Sequence, residues 1–99
     1  MTIETKLDGG TLTVMVAGRL DTNTAPQLEA ELTLDGVKEV VFDFNALEYI
    51  SSAGLRVLMT AHKAMMACGG MMSVLKPNAI VKGVFDITGL SDVFRVVEA

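Results

Sequence analysis

A near-continuous run of apolar residues, VKEVVFDFN at positions 37–45, constrains the fold more than any other stretch of the chain. Such a run, rich in β-branched residues, is typical of a central strand that is covered on both faces. The covering layers must come from segments elsewhere in the chain, and helices are the usual partners of such a strand. The run therefore predicts an α/β domain.

The segments on either side of this run alternate between strand and helix patterns. The predicted strands are residues 3–8, 11–18, 37–45, 71–75 and 93–97. The predicted helices run from 24 to about 34, from 52 to about 68 and from 77 to about 88. A Gly-Gly pair at 9–10 favours a hairpin between the first two strands. Because strands and helices then alternate, we expect a mixed, partly parallel sheet of about four to five strands with helices packed on it.

Individual residues indicate where the predicted helices begin and end and how they pack. Thr24 followed by Gln27 is a capping-box pattern, which predicts that the first helix begins at Thr24. The second helix carries two apolar stripes and only a narrow polar face, so we expect it to pack against the sheet and against other helices. The Gly-Gly pair at 69–70 is expected to end it. His62 falls on an apolar stripe, which favours a packed, hydrogen-bonded histidine.

Composition limits the class of protein. The 99 residues are enough for one small domain, assigned to 1–99, and 51% of them are hydrophobic, which is ample for a core. A run of about 18 apolar residues and a signal-peptide pattern are both absent from the sequence, so we expect a cytoplasmic protein without a membrane anchor.

A single cysteine, Cys68, fits a reducing compartment. The net charge of −4 argues against nucleic-acid binding. The seven methionines favour core filling, with an adaptable contact surface as the alternative.

Catalytic and metal chemistry are hard to assemble from these residues. The one histidine, His62, lies ten residues beyond Ser52, which is about 15 Å along a helix, whereas a nucleophile and its base must be in hydrogen-bond contact. One histidine and one cysteine do not make a tetrahedral metal site. The glycine pairs match no phosphate-binding loop. We therefore expect no enzyme activity and no cofactor.

Ser52 stands where the second helix is predicted to begin, after the adjacent Ser51. A serine there commonly caps the helix, which contributes about 1 kcal/mol. The same position suits a phosphoserine, because the free backbone N–H groups and the helix dipole favour negative charge. Gly54 would either leave room for that phosphate or allow close packing of the helix on a strand. Both alternatives stay open for Ser52 and for Gly54.

Arg56 raises a related question about charge. A cation in the first turns of a helix opposes the helix dipole. It is better placed if it pairs with Asp21, with Glu48, with a phosphate or with a carboxylate of a partner. A solvated arginine is the simpler alternative, because exposed charges cost little.

Three motifs of this chain resemble those of one bacterial family. GRLDTNTAPQLEAEL, VVFDFNALEYISSAGLRVL and VFDITGLSDVFRV fall in the order and at the spacing found in STAS domains of anti-sigma factor antagonists. The resemblance covers residues 11–97 and implies a single STAS domain. The usual family motif is Asp-Ser-Ser/Thr-Gly-Leu; here Ser51 stands in the place of its Asp and Ala53 in the place of its second hydroxyl residue.

The resemblance implies a phosphorylation switch. In that family an anti-sigma factor with serine kinase activity modifies the first hydroxyl residue of the motif, and a serine phosphatase reverses the step. The unphosphorylated protein binds the anti-sigma factor and releases the sigma factor. Alignment of Gly-Leu with positions 54–55 identifies Ser52 as the acceptor, with Ser51 as the fallback. The implied partner-binding residues are Asp21, Thr22, Asn23, Thr24, Ser51, Ala53, Gly54 and Arg56.

Two other functions compete with this hypothesis. A STAS domain can serve as a scaffold in a larger signalling or transport assembly, in which case Ser52 would only cap the helix. A neighbouring gene for a kinase-like anti-sigma factor would favour the switch instead. A serine hydrolase is disfavoured because His62 cannot reach Ser52. The sequence leaves the oligomeric state open.

Overall fold

A computed structural model describes residues 1–98 and consists of a mixed β-sheet with helices packed on it. The strands are β1 (Thr2–Asp8), β2 (Thr11–Leu20), β3 (Glu39–Asp43), β4 (Leu47–Ile50), β5 (Met71–Leu75) and β6 (Arg95–Val97). The helices are α1 (Ala25–Glu31), α2 (Ser52–Ala67) and α3 (Ala79–Thr88), with a short 3-10 helix at Leu90–Asp92. The predicted α/β class and the mixed sheet are confirmed.

The sheet has the order β1-β2-β3-β5-β6, and β4 pairs with β2 outside that path. The β1–β2 pair is antiparallel, whereas the β2–β3, β2–β4, β3–β5 and β5–β6 pairs are parallel. The turn at Gly9 and Gly10, with φ of 57° and 90°, joins β1 to β2. Positive φ at both positions is what a tight two-residue hairpin requires, so the predicted hairpin is confirmed.

One face of the sheet carries the core. In β3, Val40 and Phe42 are fully buried, whereas Glu39, Val41 and Asp43 on the opposite face are only half-buried. The prediction that this strand is covered on both faces is therefore wrong. The apolar run is continuous because Val41, on the less buried face, lies between the buried residues Val40 and Phe42.

The fourth strand, Leu47–Ile50, was not expected, so the sheet has six strands and not four to five. It forms because β2 is longer than predicted. β2 pairs with β3 as far as Met15 and then, past an irregularity next to Gly18 (φ of 99°), continues beside β4 to Leu20. The LEYI segment is too short for its own periodicity to identify it, and only the extended β2 makes it a strand.

Several element boundaries also differ from those predicted. Helix α1 ends at Glu31, and α3 begins after Asn78, whose side chain accepts a 2.8 Å hydrogen bond from the N–H of Val81. Helix α2 ends next to a glycine as expected, with φ of 74° at Gly69, and α3 ends next to Gly89, with φ of 78°. The 3-10 turn before β6 shortens that strand to Arg95–Val97.

The side chains singled out for their chemistry have mostly structural surroundings. His62 is half-buried and packs edge-on against Phe94, with ring centroids 5.9 Å apart. Met65 and Met72 lie in the core, as core filling predicts, whereas Met15, Met66 and Met71 are exposed. Within residues 1–98, no helix is both long and apolar enough to cross a bilayer.

Candidate functional site

The parallel ends of β2 and β4 create the site. Leu20 pairs with Ile50, and the N–H of Ser51 donates a 2.9 Å hydrogen bond to the carbonyl of Leu20. The chain leaves both strands at the same edge of the sheet, which places the 21–24 loop beside the start of α2. Two segments more than 25 residues apart in the sequence therefore form one surface.

Asp21 organises the 21–24 loop. Its carboxylate accepts hydrogen bonds from the N–H groups of Asn23 (3.0 Å) and Thr24 (3.2 Å). The Thr24 hydroxyl donates to the carbonyl of Arg19 (2.8 Å) and accepts from the N–H of Asp21 (2.9 Å). This hydroxyl does not cap α1, because the loop uses it, and the predicted capping box between Thr24 and Gln27 is wrong. The loop is thus held in shape by its own polar groups.

The same contacts set the electrostatics of Asp21. Partial desolvation acts to raise the pKa of its carboxyl group, but hydrogen bonds from the backbone of Thr24 and Asn23 and from the Thr24 hydroxyl oppose it. With the nearby charge of Arg19, they lower the pKa below its ordinary value of 3.8. Asp21 is therefore a stable anion at neutral pH, next to the start of α2.

The two serines have different environments. Ser51 occupies the cap position of α2, with φ of −103° and ψ of 176°, but its side chain makes no capping hydrogen bond. Its Oγ is buried and has no hydrogen-bond partner within residues 1–98. Ser52 is the first residue of α2 and is exposed. The prediction that Ser52 caps the helix is wrong, because the cap position belongs to Ser51.

The start of α2 offers unpaired hydrogen-bond donors. The first helical hydrogen bond runs from the N–H of Leu55 to the carbonyl of Ser51 (3.0 Å). The N–H groups of the residues between them have no partner inside the helix, as is general for the first turn. Together with the helix dipole, they favour an anion beside Ser52.

Gly54 supports the site from inside. A β-carbon at this position would lie 2.7 Å from Cγ of Leu20 and 2.9 Å from Cγ1 of Ile50. Of the two alternatives for Gly54, the structure therefore favours close packing of the helix on the strands. Because Gly54 is buried, it does not contribute to the exposed surface on which Ser52 lies.

A groove of about 230 Å³ between α1 and α2 adjoins the two segments. Thr22, Ala53 and Arg56 line it, together with Ala25, Pro26, Glu29 and Val57. Arg56 is exposed and forms no salt bridge with any residue of the described part of the chain. The predicted pairing with Asp21 or Glu48 is therefore absent within residues 1–98, and the solvated alternative describes this structure.

Sequence reasoning missed one pair of residues at this edge. The guanidinium of Arg19 lies over the ring of Tyr49, 4.3 Å from its centroid, and the two residues pair across β2 and β4. Their proximity depends on the unexpected strand β4, so no pattern in the sequence indicated it. In the described chain, no group of histidine, cysteine or acidic side chains could hold a metal ion.

The chain matches a known family over nearly its whole length. The family model for the STAS domain matches residues 2–99. The chain therefore belongs to the STAS domain family, as its three motifs predicted.

Its relatives carry related names. BtrV of Bordetella bronchiseptica, named as a candidate anti-sigma factor antagonist, is 37% identical over 94 residues, which cover 92% of this chain and 80% of BtrV. The anti-sigma-B factor antagonist of Staphylococcus aureus is 31% identical over 101 residues, which cover 99% of this chain and 94% of that protein.

Solved structures of the same fold include the anti-sigma factor antagonist SpoIIAA in two forms. The unphosphorylated form has a TM-score of 0.85 at 20% identity, with coverage of 97% of this chain and 88% of SpoIIAA. The phosphorylated form from Bacillus has a TM-score of 0.78 at 19% identity, with coverage of 97% and 91%. These likenesses show that the two proteins share a fold.

Proposed function

We propose that this protein is an anti-sigma factor antagonist whose binding is switched off by phosphorylation of Ser52. In its unphosphorylated form it binds an anti-sigma factor with serine kinase activity, and the sigma factor is released. The kinase modifies Ser52 and thereby ends the complex, and a serine phosphatase restores the binding form. The names of the relatives, BtrV and the Staphylococcus aureus protein, support the function class.

The observation that carries the proposal is the contrast between the two serines. A kinase needs an accessible hydroxyl, and Ser52 is exposed at the first position of α2. The Oγ of Ser51 is buried, which disfavours the fallback acceptor. That SpoIIAA is known in a phosphorylated form supports a modification compatible with this fold.

The start of α2 can accommodate the modification without refolding. A phosphate at Ser52 adds about −1.5 to −2 charges and three acceptor oxygens, which the free N–H groups of the first turn can bind. Arg56 lies four residues further along, on the same side of the helix as Ser52, and is free to turn toward the phosphate. The domain therefore tolerates the charge.

A docked partner would not tolerate that charge. Asp21 is already an anion on this surface, so an anti-sigma factor that binds here must accept one negative charge but not a second, larger one. Like-charge contacts in an interface cost several kcal/mol, and each 1.4 kcal/mol is tenfold in affinity. We expect phosphorylation to weaken the complex by a factor of about one hundred or more.

Incubation with ATP and the candidate anti-sigma factor, followed by intact mass measurement and peptide mapping, tests the proposal. We expect one phosphate on Ser52, none on Ser52→Ala, and unchanged modification of the matched control Ser51→Ala. Isothermal titration with the purified phosphorylated protein should then show the loss of affinity, while Ser52→Ala still binds. If ATP leaves the protein unmodified and the complex persists, the switch is refuted and a scaffold role is favoured.

A further inference from the structure

Strand β1 forms one edge of the sheet and has an open side. Within residues 1–98 it pairs only with β2, and six of its seven residues are exposed. Leu7 exposes 66% of its surface and lies on the same face of β1 as Ile3. An edge strand with unpaired backbone groups is a ready template for another strand.

The hairpin determines which backbone groups are free. The tight turn at Gly9 and Gly10 makes Asp8 and Thr11 a hydrogen-bonded pair, and such pairs alternate along an antiparallel ladder. The N–H and C=O groups of Thr2, Glu4, Lys6 and Asp8 therefore point toward β2. Those of Ile3, Thr5 and Leu7 point away from the sheet, where no backbone partner meets them within residues 1–98.

Two antiparallel registers with a second copy set opposite charges of β1 against each other. One is centred on Thr5, and the other is centred on Leu7, where Lys6 faces Asp8. The second register sets Thr5 against Gly9 of the turn, so only the register centred on Thr5 pairs all three residues whose backbone groups are free. When Thr5 faces Thr5 of the second copy, Glu4 lies opposite Lys6, and this contact occurs twice by symmetry. A shift of the partner by two residues in one direction sets Glu4 against Glu4. A shift by two in the other direction sets Lys6 against Lys6 and Glu4 against Asp8.

The favoured register also fits the backbone and the apolar side chains. It pairs Thr5 with Thr5 and Ile3 with Leu7, which are the residues whose N–H and C=O groups are free. Ile3 already packs against the core, so Leu7 of the second copy would extend that apolar surface. Glu4 and Lys6 fall at the positions between, where opposing side chains approach most closely.

We propose that two copies of this protein associate through β1, antiparallel and centred on Thr5, to form one continuous sheet. The occupant of the open edge is thus a second copy, and the Glu4–Lys6 contacts select its register. This association is independent of Ser52, and the proposed function stands whether or not it occurs.

Sedimentation equilibrium of the full chain over micromolar to millimolar concentrations tests the proposal. We expect reversible dimerisation at low salt. Glu4→Lys and Lys6→Glu should each weaken it about tenfold or more, because two attractive contacts become repulsive. The double variant Glu4→Lys/Lys6→Glu keeps the net charge and should restore dimerisation. An equimolar mixture of the two single variants should form a mixed dimer.

Thr5→Pro tests backbone pairing at the open edge of β1 without changing any charge. It removes an N–H that points away from β2, so the hairpin keeps its internal bonds, and proline is tolerated on edge strands. We expect a folded monomer by circular dichroism and sedimentation. A wild-type protein that stays monomeric at millimolar concentration, or a double variant no better than the single ones, would overturn the proposal.

Discussion

Gly54→Ala tests the packing that positions the start of α2. The new methyl group would lie 2.7 Å from Cγ of Leu20 and 2.9 Å from Cγ1 of Ile50, well inside contact distance. Leu20 and Ile50 expose 0% and 1% of their surface, so neither side chain has open space into which it could move. The helix must therefore shift outward or the two strands must deform.

Two opposing effects determine how much Gly54→Ala changes the free energy of unfolding. Overpacking of a well-filled core costs about 1–3 kcal/mol, whereas replacing glycine by alanine inside a helix gains about 1 kcal/mol. Position 54 lies in the first turn, so the gain is at the lower end, and we expect a net destabilisation of about 1–2 kcal/mol. For a domain of this size, that corresponds to a loss of about 4–15 °C in melting temperature.

Gly83→Ala provides the matched control. Gly83 lies within α3 and has a helical glycine's conformation, but nothing approaches its β-carbon position within 4 Å. Here only the helix-propensity gain remains, so we expect stabilisation by about 0.5–1 kcal/mol. Urea denaturation monitored by circular dichroism would measure both variants. If Gly54→Ala is as stable as the wild type while Gly83→Ala behaves as expected, the account of close packing at Gly54 is wrong.

Three further predictions concern side chains near this edge. Ser51→Ala should stabilise the domain by about 1 kcal/mol in urea denaturation, because it removes a buried hydroxyl without a partner; a destabilised variant would indicate a hydrogen bond in solution. Asn78→Ala should lower the free energy of unfolding by about 2 kcal/mol, because it removes the cap of α3 and the hydrogen bonds to the carbonyls of Leu47 (3.1 Å) and Glu48 (3.3 Å). As a control, alanine at the exposed Asn45 should change the free energy of unfolding by less than about 0.5 kcal/mol. The lowered pKa of Asp21 means that its ionised form stabilises the fold above the ordinary value of 3.8, and that this contribution is lost as the pH falls through the lowered value. The denaturation midpoints of wild type and Asp21→Asn should therefore differ at neutral pH and converge in acid, and a constant difference would contradict this assignment.

Local sequence patterns predicted much of the fold, because turns and helix ends depend mainly on residues that are adjacent in the chain. The Gly-Gly pair at 9–10 indicated a hairpin, and the pair at 69–70 marked the end of α2, since glycine readily adopts positive φ. The strand at 71–75 was predicted with its observed bounds. The end of α1, predicted at about residue 34, falls at Glu31, because Leu32 leaves the helical conformation with φ of −91° and ψ of 83°.

The candidate site was predictable as a set of residues but not as an arrangement. The sequence indicated a serine at the start of a helix and an aspartate before another, and by resemblance it assigned both to one surface. It could not show which serine is exposed. That depends on how α2 lies on Leu20 and Ile50, a contact between segments that are distant in the chain.

Apart from β4, the order of strands and helices was thus predicted from the sequence alone, as were the glycine that ends α2 and the family itself. The tertiary structure decided that β2 extends to pair with β4, that Thr24 serves the loop and not the helix, and that Ser51 is turned inward while Ser52 is exposed. The physical reason is the distance along the sequence between the residues that determine each feature. Turn and helix preferences depend on a few adjacent residues, whereas burial and hydrogen-bond partners are fixed only when distant segments pack together.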